Sequence, residues 1–218
     1  MLELVNKSWW KILSFVLLVY TIIAGFLFDV PKLHILNETI RNLYFHVCMW
    51  MGMMVLFAIS FYHSIKYLRH QNFRSDIASS NYAAVGCLYG ILGYLTGFLW
   101  VNVTWVSDQG QSLAGVLKEP KLIGAAIALL IYGAYFVLRG SFTDIDKRAR
   151  VSAVYNIFAF VMLILFLLVL PRLTASLHPG NGGNPAFSKY DLDNGMRLIF
   201  YPAVMAWIGL SFWLFELH

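Results

Sequence analysis

From Val151 to Leu170 the chain reads VSAVYNIFAFVMLILFLLVL, twenty residues without a charged side chain. As an α-helix such a stretch is about 30 Å long, the depth of a bilayer's hydrocarbon core, and it therefore reads as a membrane-spanning helix. Five further apolar runs share its character: Trp10 to Phe28, Leu43 to Ile65, Tyr82 to Val101, Leu122 to Leu138 and Leu198 to Leu217. The whole composition agrees, with 60% apolar and 12% charged residues in 218 and a mean hydropathy of +0.68, against about 45–50% apolar and about 25% charged in ordinary domains. A soluble domain is excluded, because so few charges cannot solvate its surface. The expected fold is an all-α integral membrane protein, a single domain over residues 1–218 built as a bundle of six transmembrane helices.

Few charges remain, and they set topology. The net charge of +5, from 16 Lys and Arg against 11 Asp and Glu, is a membrane-orientation signal in so apolar a chain, and nucleic acid is not an expected partner. Two tight connections, Lys66 to Arg74 and Arg139 to Arg150, hold seven basic residues. They and both termini are placed in the cytoplasm, and the longer loops 29–42, 102–121 and 171–197 face outward. The first apolar run carries the Lys7 and Lys11 flank of a signal peptide, yet it is long enough to span and has no small-x-small cleavage pattern, so it is expected to stay as the first helix. Cys48 and Cys87 lie in apolar runs with no CxxC or CxxCH around them, which makes them packing residues rather than a redox pair or a covalent haem attachment.

The outer level collects the residues with chemistry. His46 stands about one turn inside the second helix, where an imidazole needs a partner, and His178 lies in the outer loop between helices five and six. Two imidazoles from separate segments on one membrane face can clamp a planar iron porphyrin through its axial positions. Arg41 and Arg172, each a few residues earlier, suit the two propionates. The bland readings stand beside these. His46 could be an interface histidine bonded to a carbonyl, His178 a solvated loop residue, and both arginines phospholipid anchors; on position alone, His34 could replace either histidine. Trp100 and Trp105, with Asp108 after them, offer aromatic faces to a flat macrocycle, or else form part of an interfacial aromatic belt. His46, Trp50, Met53 and Phe57 recur at intervals of four, three and four residues, which is one helical face.

Three short motifs, in this order, carry a family resemblance. Arg41-Asn-Leu-Tyr44-Phe45-His46-Val47, then Leu99-Trp100 with Thr104-Trp105, then Leu177-His178-Pro179-Gly180 resemble the CcmC/CcsA family of haem-handling proteins in cytochrome c-type biogenesis. The resemblance covers nearly the whole chain. It implies six helices with both ends in the cytoplasm of a bacterial inner membrane, and a non-covalent haem b held by His46 and His178. It further implies a tryptophan-rich platform at Trp100, Trp105 and Asp108, and delivery of haem on the periplasmic side to a chaperone of CcmE type. CcmD and the CcmA/CcmB ABC transporter are the associates it implies, in a carrier rather than an enzyme. The chain departs from the family signature Trp-Gly-x-x-Trp-x-Trp-Asp, keeping only two tryptophans, and either Asp108 or Glu119 matches the family's acid.

A rival reading is a membrane b-type cytochrome that carries electrons between two haems. His63, seventeen residues after His46 and so about 25 Å further along one helix, would serve the inner level. A second partner is missing there: His70 is on the same inner connection and His218 is at the chain end, and no other histidine is available at the inner level.

Overall fold

The computed structural model describes residues 2–174, 176–178 and 192–217. All regular structure among them is helical, and six helices are long and apolar enough to cross a membrane: Lys7–Leu27, Asn37–His70, Phe73–Asp108, Pro120–Gly140, Ile145–Leu173 and Asn194–Glu216. In finer detail the chain runs through α1 (Leu2–Leu27), a 3-10 stretch (Asn37–Asn42), α2 (Leu43–His70) and α3 (Phe73–Val101). It continues through a π-helical stretch (Asn102–Asp108), α4 (Leu113–Val116), α5 (Pro120–Gly140), α6 (Ile145–Ile164), a second π stretch (Leu165–Val169), α7 (Leu170–Leu173) and α8 (Asn194–Glu216). The protein is multi-pass. Much of outer loop 171–197, including Pro179 and Gly180 of the third motif, and His218 lie outside the described residues.

Helix starts follow local chemistry. Asn72, Asp144 and Asp193 each accept a backbone N–H from the first turn of α3, α6 and α8, which pairs donors that would otherwise have no partner. Pro120 opens α5, where a missing N–H costs nothing. At the other end of α2, Gln71 takes a left-handed conformation with φ 49°, and only Gln71 and Asn72 separate α2 from α3. The expected inner loop from Lys66 to Arg74 is therefore mostly helix, its basic residues decorating two helix ends.

α2 lies at the centre, packed on α3, α6 and α8, while α1 packs on α8. Its core is aromatic and thioether-rich: Met53, Leu56, Phe57, Tyr89, Tyr132 and Tyr135 are buried together, with the Phe57 and Tyr132 rings stacked at 3.7 Å. Small residues let the helices approach, as membrane interfaces require. A Cβ on Gly90 would stand 2.6 Å from Leu129. Polar glue adds to this: the Asn156 amide of α6 donates to Ser60 and Ser64 of α2 at 2.7 and 2.8 Å. Lys11 of α1 meets Glu216 of α8 at 2.6 Å, which puts the chain's two ends on one membrane face, as the even number of spans demands. Connections 28–36 and 109–119 and the segment after Leu173 then share the opposite face.

Candidate functional site

On that opposite face a cavity of about 450 Å³ opens between α2, α3, α5, α8 and the second π stretch. That volume lies within the 300–1,000 Å³ typical of small-molecule sites. Its wall is almost wholly apolar and aromatic, and His46 and His178 both line it together with Trp50, Tyr94, Trp100 and Trp105. The structure thus brings together two histidines that stand 132 positions apart in sequence (178 − 46).

His46 is held on its ring. It is 8% exposed, and its Nδ1 lies 2.9 Å from the Gly93 carbonyl and 3.1 Å from the Thr96 hydroxyl. A carbonyl only accepts, so Nδ1 carries the proton and donates, which leaves the Nε2 lone pair as the unprotonated side of the ring. Thr96 fits this assignment because its own hydroxyl hydrogen is directed to the carbonyls of Leu92 and Gly93, at 2.9 and 3.0 Å. A ring fixed through one nitrogen with the other available is how a metal-binding imidazole is oriented by its surroundings. The bland alternative, a histidine satisfied by a carbonyl, accounts for one nitrogen and not for the cavity beside it.

Two tryptophans bracket the imidazole edge-on, Trp100 at 5.8 Å and 79° and Trp50 at 6.1 Å and 74° between ring centroids and planes. Trp100 is aimed by its indole N–H, which donates to Thr39 at 2.9 Å. Trp105 reaches the same wall for a geometric reason. Residues five apart on an ordinary α-helix point about 140° apart around its axis. After Val101 the helix widens into π turns, whose bonds join residues five apart, and this carries Trp105 back onto the wall that Trp100 occupies. The expected outer loop 102–121 is thus helical as far as Asp108. The second π stretch, Leu165–Val169, supplies Leu167 and Leu168 to the facing wall.

Other expected site residues lie elsewhere. Arg41 turns away from the cavity: its guanidinium donates to the Gly25 carbonyl at 2.9 Å and to Glu38 at 2.8 Å, closing the end of α1, where last-turn carbonyls lack helical partners. Arg172 donates to the Leu168 carbonyl at 2.8 Å, and neither arginine lines the cavity. Asp108 is exposed at the end of the π turns, while Glu119, the other candidate acid, is 7% exposed and lines the cavity. Among the described lining residues the cation is Lys121. Sequence reasoning passed over Lys121 and Tyr94 as site residues; the position of Lys121 as the second residue of α5, at the end of an outer loop, was the available signal. His34 is exposed in the 34–36 turn.

At the opposite face, His63 packs against Tyr62 and Tyr82, with centroids 5.3 and 5.8 Å away, and His70 is exposed at the end of α2. Compared with known proteins, the chain matches no protein-family model and no curated relative.

Proposed function

We propose that this protein is a haem-handling membrane protein that binds haem on its long-loop face and hands it to a partner, as the resemblance to the CcmC/CcsA family implies. The observation that carries the reading is that His46 and His178 line one aromatic cavity, with Nδ1 of His46 already committed to Gly93. When bound, the haem iron would be held by the Nε2 of His46 and the imidazole of His178. Trp50, Trp100 and Trp105 give the aromatic wall a macrocycle needs, and Lys121 brings a cation for its carboxylates.

The long-loop face is then periplasmic, both ends are cytoplasmic, and the membrane is a bacterial inner membrane. A chaperone of CcmE type is the recipient and CcmD with CcmA/CcmB the associates. A carrier of this kind needs no catalytic step of its own. Titrating the purified protein with haem is expected to give one low-spin haem per chain that moves to apomyoglobin on mixing. Absence of saturable binding overturns the reading, and two haems that resist transfer would point to the electron-carrying cytochrome instead.

Gly97 supplies a second check on the same site. A Cβ there would stand 2.6 Å from Cε1 of His46, closer than packing tolerates, so Gly97→Ala drives the ring off its bonds to Gly93 and Thr96. The expected outcome is haem affinity reduced by about 10–100-fold, the range found when the groups orienting a metal ligand are lost, with the protein still folded by circular dichroism.

A further inference from the structure

We infer that Glu119 is the anchor that holds His178 at the cavity, so that one carboxylate governs whether the second axial nitrogen is in place; the inference rests on the haem-handling reading above. The two histidines are mounted in unequal ways. His46 belongs to the long helix α2 and is braced by α3. His178 follows the end of α7 at Leu173 on a segment without helical bonds.

Glu119 occupies the position just before α5, where an acidic side chain ordinarily turns back to cap its own helix. It does not do so. Its carboxylate instead accepts from the Ser176 hydroxyl and, at 3.0 Å, from the backbone N–H of Leu177. The N–H of His178 in turn donates to the Ser176 hydroxyl oxygen at 3.1 Å. One carboxylate therefore fixes three consecutive residues ending in the histidine.

The arrangement is stable because each half needs the other. A carboxylate 7% exposed at the membrane edge is costly to bury without donors, and the strap 176–178 provides them. The N-terminal end of α5 also favours a negative charge beside it. Conversely, the strap's Leu177 N–H finds its acceptor in Glu119. The consequence is a site with one nitrogen braced between two long helices and one carried on a strap whose backbone Glu119 holds. Carriers must both hold and let go. Loosening Glu119 withdraws His178 while His46 keeps its hold, which opens one side of the ligand to a recipient.

The test uses the full-length protein in nanodiscs with Glu119→Ala, Glu119→Gln, Ser176→Ala and His178→Ala. Without haem, amide hydrogen exchange across Leu177 and His178 is expected to rise about tenfold in Glu119→Ala, the loss of one charge-assisted bond, and by less in Glu119→Gln, which keeps one acceptor. With haem in excess, Glu119→Ala is expected to show a five-coordinate high-spin spectrum like that of His178→Ala, and added imidazole to restore the low-spin form. Wild-type exchange and a wild-type spectrum in Glu119→Ala overturn the anchor while leaving the haem reading intact. A wild-type spectrum in His178→Ala overturns the haem reading itself. Should Glu119→Ala fail to fold, Glu119→Gln and Ser176→Ala decide: wild-type exchange and spectrum in both overturn the inference.

Discussion

His46→Ala is expected to lose saturable haem binding, with affinity falling by more than about 100-fold, the upper end of the loss seen when merely the group behind a metal ligand is removed. In the proposed haem site, His46 is the fixed half. Its ring is set by α3 through Gly93 and Thr96 and flanked by two tryptophans, so its lone pair is positioned before any ligand arrives, and preorganisation of that kind is where affinity is gained. The substitution leaves no new buried group unpaired. Thr96 still donates to the Leu92 carbonyl, and the Gly93 carbonyl lies within α3. The variant therefore folds, and loss of binding reports on the ligand rather than on the scaffold. His178→Ala provides the contrast: as purified it carries less than stoichiometric haem, and in excess haem it holds a weaker, five-coordinate complex through His46. Optical titration of both variants measures this, and wild-type affinity in His46→Ala removes the histidine from the site.

Hydrophobic patterning was enough for the six spans, because twenty uncharged residues have few alternatives to crossing a bilayer. Topology placed His34, His46 and His178 toward one face, and it was the family resemblance that singled out the last two, which the structure brings to one cavity. What sequence could not give was direction. Arg41 looked like a carboxylate partner because a guanidinium at the membrane edge has that chemistry, yet the end of α1 presents carbonyls nearby, and these win the side chain. A connection of nine residues from Phe28 to Leu36 brings α1 close enough for this, which no local pattern encodes. The continuation of α3 to Asp108 was hidden for another reason. Asn102 to Ser107 mixes β-branched and polar residues that read as a loop, and the first strong helix breaker is Gly110, which takes φ +67°. The W-x4-W spacing is uninformative on a regular helix and becomes a shared wall only once the turn widens.

Arg139→Ala is expected to destabilise the fold by about 3–5 kcal/mol, the range for stripping one partner from a buried ion pair. Arg139 stands in the last turn of α5 and Asp76 in the first turn of α3, so each charge also complements the dipole of its own helix. The guanidinium grips both carboxylate oxygens at 2.7 Å, a bidentate geometry among the strongest of side-chain pairings, and the Asp76 side chain is only 4% exposed. Removing the arginine leaves that carboxylate buried among membrane helices with neither water nor a countercharge. The double replacement Asp76→Leu with Arg139→Leu removes both charges and is expected to recover most of the loss, because the penalty belongs to the orphaned charge rather than to the absent pair. Half-lives of the detergent-solubilised variants at a fixed temperature decide between these outcomes, and equal half-lives for Arg139→Ala and wild type would refute the expectation. The pair sits on the face that carries the termini, the membrane's width away from His46. At temperatures where Arg139→Ala stays folded, its haem spectrum should therefore match wild type, so the same variant separates the forces that hold the bundle together from those that shape the cavity.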